Sequence, residues 1–258
     1  MLDIRLGGKV ALVTGATQGV GRAIAAELAA SGVAGLILSG RDPERGAAVA
    51  AELDVAADFV PADLADPAAP DRLVAACLDR FGRIDALVNA AGLTTRAGLL
   101  DGDAAIWDRI FAVNARAPYL LMRAAVAAMR ARAEGGAIVN ILSMNAHCGT
   151  PDLAVYSASK GALATLTRNV AHAHRFDRIR VNGILMGWSA TDGEHAMQAD
   201  ILGHGPGWLE AAEAAQPFGR LLHPEEIARL AVFLLSDAGG PMTGALVDQE
   251  QWVAGACP

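Results

Sequence analysis

The 258-residue sequence predicts a single α/β domain in which a doubly wound, parallel seven-stranded sheet carries helices on both faces. Short runs rich in leucine and β-branched residues alternate with alanine-rich stretches of helical length along the whole chain. These runs are apolar at nearly every position, which is typical of strands that crossover helices bury on both faces. No repeat, linker or change of composition divides residues 1–258, so one domain is expected.

Seven of the apolar segments are predicted as strands, because each is short and ends at turn residues or at a helical stretch. They are residues 9–14, 35–39, 57–61, 85–89, 136–142, 179–184 and 243–248, with helices in the intervals. The stretch 187–216 departs from this rhythm, because several glycines and a proline interrupt it. A long irregular segment after the end of a strand is typical of a lid over a substrate site.

Composition excludes several classes of protein. Hydrophobic residues make up 53% of the chain, too many for a disordered protein. There are 28 acidic and 21 basic residues, and this formal charge of −7 offers no basic surface for nucleic acid or an anionic membrane. The start of the chain has no apolar run of signal-peptide length. We therefore expect a soluble, cytoplasmic protein with a small-molecule substrate and no nucleic-acid or membrane partner.

The cysteines Cys77, Cys148 and Cys257 form no CxxC pair and have no metal-ligand spacing. This odd number of isolated cysteines predicts neither a disulfide framework nor a zinc site, and no metal is expected.

A glycine-rich turn follows the first predicted strand. Residues 14–21 read TGATQGVG, and an alanine-rich amphipathic helix comes next. Glycines let the backbone approach a pyrophosphate, and the unpaired N–H groups at the start of the helix accept its negative charge. Strand, turn and helix together predict a Rossmann-like dinucleotide site. Its candidate contacts here are Gly15, Thr17, Gln18, Gly19, Val20 and Gly21.

Three polar residues in the second half of the chain form a candidate catalytic group. Tyr156 and Lys160 lie four positions apart, so in a helix their side chains share a face. A tyrosine titrates near about 10, and a neighbouring ammonium is expected to lower this pKa by stabilising the phenolate. Tyr156 is therefore a candidate general acid/base. Ser143 ends the fifth strand, where its hydroxyl can bind a substrate oxygen.

Further short motifs follow the glycine turn in order. They are Asp63-Leu64, Asn89-Ala90-Ala91-Gly92, Asn114, Ser143, Tyr156-x-x-x-Lys160 and Arg180-Val181-Asn182. With the TGxxxGxG spacing of the turn, this series resembles the short-chain dehydrogenase/reductase family from about residue 8 to about residue 248. The resemblance implies an enzyme that transfers a hydride between a nicotinamide cofactor and a secondary alcohol or ketone.

The resemblance also implies roles for individual residues. Tyr156 would move the proton, Ser143 would orient the substrate oxygen, and Lys160 would also hold the nicotinamide ribose. Asn114 would complete a tetrad by holding a water that links Lys160 to solvent. The other implied cofactor contacts are Asp63 and Leu64 at the adenine, Asn89, Ala90 and Gly92 on the adenosine side, and Gly187 and Thr191 at the nicotinamide end. For Asn89 a structural role in the sheet is an equal alternative.

The end of the second strand bears on the choice between NADP and NAD. An NAD-selective site usually has an acid there to bind the adenosine ribose. Here Gly40 stands at that place, and the adjacent Arg41 could bind a 2′-phosphate. NADP is therefore expected. NAD remains the alternative, because Gln18 occupies the place of a second basic residue found in many NADP-binding members and Asp42 lies near enough to compete for Arg41.

The substrate is less strongly indicated. His147, Cys148 and Trp188 are candidate substrate contacts, because they follow strand ends beside the catalytic residues. The lid carries more polar groups than a lipid or steroid pocket needs, which favours a small hydroxylated substrate such as a polyol, a sugar or a sugar acid.

Two other functions remain open, as does the oligomeric state. One is reduction of a 3-oxoacyl thioester on acyl carrier protein, for which Arg130, Arg168 and Arg175 could bind the acidic carrier. The other, from a different class, is a non-catalytic nucleotide-sensing protein. A homotetramer or a dimer is expected from the family, although the glycines usual after Asp248 are replaced here by bulkier residues.

Overall fold

A computed structural model describes residues 4–255, so Cys257 lies outside the described part of the chain. The strands in this part are β1 (Val10–Thr14), β2 (Gly35–Gly40), β3 (Ala57–Pro61), β4 (Ala86–Asn89), β5 (Gly136–Ile141), β6 (Ile179–Met186) and β7 (Leu246–Gln249). The α-helices are α1 (Gly19–Ala30), α2 (Pro43–Glu52), α3 (Ala69–Phe81), α4 (Ala104–Phe111), α5 (Ala117–Arg132), α6 (Ala154–His174), α7 (Asp192–Ala196), α8 (Trp208–Ala214) and α9 (Pro224–Leu235).

The strands form one parallel sheet in the order β3-β2-β1-β4-β5-β6-β7. This confirms the predicted doubly wound α/β fold. Because the chain moves outward from β1 to β3 and then returns to β4, the strand order reverses between β1 and β4. Doubly wound sheets bind ligands at the carboxyl ends of the strands beside such a reversal. There Thr14 of β1 pairs in register with Asn89 of β4.

Side chains alternate between two cores, one on each face of the sheet. In β1, Ala11 and Val13 belong to the core beneath α1 and α9, and Leu12 belongs to the core beneath α3, α5 and α6. In β2, Leu38 belongs to the core beneath α1 and α9, and Ile37 belongs to the core beneath α3, α5 and α6. Successive strand residues point to opposite faces. The nearly continuous apolar runs in the sequence therefore reflect burial on both sides of the sheet.

The motif Arg180-Val181-Asn182 lies in β6 and joins neighbouring elements to the sheet. The guanidinium of Arg180 donates to the carbonyls of Leu234, Leu235 and Ser236, which end α9. Asn182 donates to the carbonyl of Met242 and accepts from the N–H of Ala245.

The last strand begins later than predicted. The sequence predicts a strand over 243–248, but β7 starts at Leu246. Gly244 has φ +74°, a left-handed conformation that does not continue a β-ladder. Its N–H and the Thr243 hydroxyl instead bind the backbone of Val181. Among the described residues, no helix is long and apolar enough to span a membrane.

Candidate active site

A cleft of about 1200 Å³ lies along the carboxyl edge of the sheet. The glycine turn before α1 forms one end, and Ser143, Tyr156 and Lys160 form the other. The sequence-predicted residues that line it are Gly15, Thr17, Gln18, Gly19, Val20, Gly21, Arg41, Asp63, Leu64, Ala90, Gly92, Ser143, Tyr156, Lys160, Gly187, Trp188 and Thr191.

Glycine is required at two positions of the turn by close packing. Gly15 has φ +67°, and an added Cβ would lie 2.8 Å from Cα of Ala91. At Gly21 an added Cβ would lie 2.2 Å from the carbonyl oxygen of Gly15. The hydroxyl of Thr14 accepts from the N–H groups of Ala90 and Ala91, which fixes the end of β4 beside the turn.

The turn end of the cleft fits a dinucleotide. Helix α1 begins at Gly19, its N-cap Gln18 makes no side-chain cap bond, and its first turn carries no acid. Its first N–H groups and positive dipole end are therefore available to a phosphate. Ser39, at the end of β2, also lines the cleft, and its buried Oγ finds no hydrogen-bond partner among the described residues.

Ser143, Tyr156 and Lys160 meet where β5 ends against α6. The hydroxyls of Tyr156 and Ser143 share a hydrogen bond. Nζ of Lys160 donates to the carbonyl of Ile141 at 2.8 Å and lies 5.8 Å from the centre of the Tyr156 ring. All three side chains are buried, with Lys160 only 4% exposed. The helix places Tyr156 and Lys160 on one face, as their spacing predicts.

The electrostatics of Tyr156 differ from the sequence expectation. Burial raises the pKa of its phenol, and the negative charge of Glu194 acts in the same direction. The hydrogen bond from Ser143 and the charge of Arg96 oppose this rise without cancelling it. Burial also lowers the pKa of Lys160 from 10.5 to about 8. The expected depression of the phenol pKa by Lys160 is thus not seen, because desolvation disfavours the charged forms of both groups.

Asn114 does not line the cleft but lies behind it, in a π-helical turn over Ala112–Arg116. Its side chain donates to the carbonyl of Leu93 and the hydroxyl of Ser159, and accepts from the N–H of Leu93. A Cβ added at Gly92 would lie 3.7 Å from Oδ1 of Asn114 and 3.5 Å from Nζ of Lys160. The amide oxygen and the lysine therefore both face the small gap at Gly92.

The basic end of the cleft is arranged differently from the expectation. Asp42 does not compete for Arg41, because its carboxylate caps α2 and lies 3.7 Å from Nε of Arg45. Arg45 donates to the side-chain oxygen of Gln18 at 2.6 Å and lines the cleft with Arg41. Gln18 therefore holds a second arginine there. The sequence signal for Arg45 is its position four residues after Arg41, in the first turn of α2.

At the adenine end implied by the resemblance, Asp63 and Leu64 lie in the cleft and Asn89 does not. The N–H of Ala65 lowers the pKa of Asp63, and Arg109, 3.1 Å away, lowers it further. Asn89 is buried in the sheet and donates to Oδ1 of Asn140 at 2.7 Å. This contact corresponds to the structural alternative for Asn89.

At the opposite end, Gly187 lies under the side chain of Glu250, whose carboxylate an added Cβ would meet at 2.1 Å. The Gly187 N–H donates to the carbonyl of Gln249. Thr191 caps α7 by accepting from the N–H of Glu194. The tail that replaces the usual glycines after Asp248 thus closes one wall of the cleft.

Two of the three predicted substrate contacts are placed elsewhere. His147 lies outside the cleft because Nε2 pairs with Oδ1 of Asp248 at 2.9 Å. Cys148 is exposed and also lies outside it. Neither residue lines the cleft, because the chain leaves its lining after Asn145 and rejoins it at Thr150; a contact of either residue with substrate stays a prediction. Trp188 does line the cleft, and its indole N–H donates to Glu194 at 2.8 Å.

The substrate end contains three charged residues that the resemblance does not mark. Arg96 and Asp152 form an ion pair of 3.2 Å on one wall, and Glu194 lies in the first turn of α7. Of these, Arg96 carries no sequence signal, because the loop after β4 has no regular pattern. Among the described residues, no group of three or more His, Cys, Asp or Glu side chains could hold a metal ion.

Known proteins resemble this chain over nearly its whole length. A family model described as enoyl-(acyl carrier protein) reductase matches residues 15–249. Galactitol 2-dehydrogenase from Agrobacterium fabrum is 38% identical over 90% of this chain and 92% of that protein. Sorbitol dehydrogenase from Cereibacter sphaeroides is 37% identical over 90% of this chain and 91% of that protein. The structure of L-sorbose reductase from Gluconobacter frateurii, complexed with NADPH and L-sorbose, has a TM-score of 0.92 and 28% identity over 99% of this chain and 100% of that one. The chain belongs to the short-chain dehydrogenase/reductase family.

Proposed function

We propose that the protein is an NADP-preferring oxidoreductase that interconverts a secondary alcohol and a ketone on a small hydroxylated substrate. The observation that carries this proposal is the buried group of Ser143, Tyr156 and Lys160 at one end of a cleft whose other end is the glycine turn of α1. Relatives named galactitol, sorbitol and sorbose oxidoreductases support both the reaction and the substrate class.

When bound, the nicotinamide cofactor accepts or supplies the hydride. The protein's own residues position the substrate and move its proton. Ser143 holds the substrate oxygen beside Oη of Tyr156. The Tyr156 phenol donates its proton to the carbonyl oxygen in reduction, and its phenolate takes the hydroxyl proton in oxidation. With its pKa raised by burial, Tyr156 is protonated at neutral pH, which suits carbonyl reduction. Lys160 supplies charge beside the phenol, and Asn114 holds a solvent link to Lys160.

The NADP preference rests on Arg41 and Arg45. Two guanidinium groups at the end of β2 can bind a 2′-phosphate, while a Cβ at position 40 would lie 2.6 Å from Cγ2 of Thr17. An acid at position 40, as in NAD-selective sites, would therefore require the Thr17 side chain to move. Titration followed by nicotinamide fluorescence should give tighter binding of NADPH than of NADH. Arg41→Ala and Arg45→Ala should each weaken NADPH binding and leave NADH binding nearly unchanged; equal weakening of both cofactors would contradict this assignment.

Tyr156→Phe tests the reaction. Removing the hydroxyl should lower kcat on ketoses or polyols by at least about 100-fold, because proton transfer is lost, while NADPH binding persists. Tyr119→Phe is the matched control, since Tyr119 is the other of the two tyrosines and lies exposed on α5. Wild-type turnover in Tyr156→Phe would contradict the mechanism. Cofactor binding with no turnover of any alcohol or ketone by the wild type would favour the nucleotide-sensing alternative.

The positions of Arg130 and Arg175 count against the 3-oxoacyl thioester alternative. Arg130 pairs with Asp177 at 3.2 Å, and Arg175 and Asp177 lie just before β6. These arginines therefore lie toward the amino ends of the strands, whereas the cleft opens at the carboxyl ends. Neither Arg130 nor Arg175 is therefore placed to hold an acidic carrier protein beside the cleft mouth.

We further propose that residues 187–216 act as the substrate lid, that the protein is a homotetramer or dimer, and that it is cytoplasmic. Supporting an oligomer, Leu99 and Leu100 are 90% and 98% exposed, and Trp252 is 54% exposed. Light scattering on the purified protein tests the oligomer, and cell fractionation tests the location. A monomer, or recovery with membranes or in the periplasm, would contradict these expectations.

A further inference from the structure

Glu194 places a fixed carboxylate at the substrate end of the cleft. It lies in the first turn of α7 and lines the cleft. Oε1 accepts from the indole N–H of Trp188 at 2.8 Å and from Nε2 of Gln198 at 2.7 Å. Both bonds fall on the same oxygen, and none of the hydrogen bonds in the described part of the chain reaches Oε2. One oxygen therefore anchors the carboxylate, and the other is available to a ligand.

The residues that hold Glu194 are themselves held in place. Gln198 is buried, and its side-chain oxygen pairs with Nδ1 of His204 at 2.9 Å. The Thr191 hydroxyl accepts from the N–H of Glu194, which fixes the start of α7. Trp188 lies against Trp208 of α8, with ring centres 6.1 Å apart. A carboxylate restrained on several sides loses little conformational freedom when it binds a substrate group.

The charge of Glu194 has no cationic partner of its own in the described cleft wall. Arg96, which also lines the cleft, is paired with Asp152 at 3.2 Å, so that pair contributes little net charge. The charged groups that act on Tyr156 are Glu194 and Arg96, with Lys160 5.8 Å from its ring. The effect of Glu194 on the Tyr156 phenol indicates that the carboxylate lies near the reacting group. A second anion placed there would be repelled.

We propose that Glu194 determines specificity, accepting a hydrogen bond from a hydroxyl of a neutral polyol or sugar and excluding substrates that carry a carboxylate or phosphate. This inference rests on the proposed function and narrows its substrate class. The nearly neutral Arg96–Asp152 pair, which lines the same cleft, supplies a donor and an acceptor for further hydroxyls of the substrate.

Paired substrates of equal carbon skeleton test the proposal. A panel of four- to six-carbon polyols is compared with the matching aldonates, for example sorbitol with gluconate, using the full-length protein. The wild type should prefer polyols in kcat/KM, and Glu194→Gln should shift the polyol-to-aldonate ratio toward the aldonates by about tenfold. Asp192→Asn removes an equal charge from the same helix outside the cleft and should leave the ratio unchanged. A wild-type preference for aldonates, an unchanged ratio in Glu194→Gln or no turnover of either class would overturn the proposal.

A second measurement needs no substrate. In a Tyr119→Phe background, Tyr156 is the single remaining tyrosine, so the absorbance of the phenolate reports its titration alone. In this background, Glu194→Gln should lower the pKa of Tyr156, and Asp192→Asn should not. Equal titration midpoints in the background protein and in both further variants would overturn the placement of the Glu194 charge near Tyr156. NADPH titration of the same samples separates the two levels of inference. If NADPH fails to bind or Tyr156→Phe keeps wild-type turnover, the proposed function fails; if only the Glu194 results fail, it stands.

Discussion

Replacing Lys160 by methionine is expected to stabilise the protein at neutral pH while removing a group needed for catalysis. Lys160 is 4% exposed, and burial lowers the pKa of its ammonium from 10.5 to about 8. At about 1.4 kcal/mol for each tenfold change in the proton equilibrium, this difference corresponds to a folding cost of about 3 kcal/mol at pH 7. Loss of the hydrogen bond to the Ile141 carbonyl offsets about 1 kcal/mol of the gain. The free energy of unfolding should therefore rise by about 2 kcal/mol.

The sign of the pH dependence follows from the same difference. Below pH 8 Lys160 holds its proton in both the folded and unfolded chains, so the whole cost is present. Between about 8 and 10.5 the unfolded chain binds more protons than the folded one, and stability due to this residue rises with pH. The advantage of Lys160→Met should therefore shrink by about 2 kcal/mol between about pH 7 and pH 9.5.

Urea unfolding of both proteins across this pH range, with equal m-values, measures the effect. Lys160→Arg is a suitable control, because a guanidinium stays charged throughout and should give a less stable protein at every pH. Parallel pH profiles for the wild type and Lys160→Met, or a less stable Lys160→Met at pH 7, would refute the reasoning.

Three other substitutions test the framework around the cleft. Gly15→Ala should lower the free energy of unfolding by at least about 1 kcal/mol and abolish NADPH binding, because it places a Cβ on a left-handed residue 2.8 Å from Cα of Ala91. Calorimetry and cofactor titration measure the two effects, and unchanged stability and binding would contradict the prediction. Arg180→Met should lower the free energy of unfolding in urea by about 2–4 kcal/mol, because it leaves three carbonyls at the end of α9 without their hydrogen-bond donor. A decrease of only a few tenths of a kcal/mol would contradict this prediction. Burial raises the pKa of Asp85, but its bonds to Arg83 and the Val10 N–H lower it below the ordinary 3.8 overall. Asp85→Asn should therefore cost about 3 kcal/mol at neutral pH, and this loss should diminish as the pH falls below 3.8; a pH-independent loss would show that the charge is not responsible.

Much of the architecture is readable along the chain because it depends on local pattern. A strand buried on both faces must be apolar at nearly every position, so the five inner strands β1, β2, β4, β5 and β6 are identifiable one by one, whereas the edge strands β3 and β7 are only partly buried. The glycines of the turn are required by backbone contacts within one strand–turn–helix unit, and the four-residue spacing of Tyr156 and Lys160 is itself a helical repeat. Each of these features is encoded within a few residues.

Other features arise only where distant segments meet. Whether His147 faces a substrate or pairs with Asp248 depends on the path of a chain segment about a hundred residues further on. The raised pKa of the Tyr156 phenol is set by desolvation, which spacing does not report. Arg45 enters the cleft because Gln18, from another element, holds it there, and Glu194 shares the cleft with Tyr156 because α7 forms part of the cleft wall. Local pattern thus encodes the sheet and the reaction chemistry, whereas charge, burial and specificity in the cleft are properties of side chains that only packing brings together.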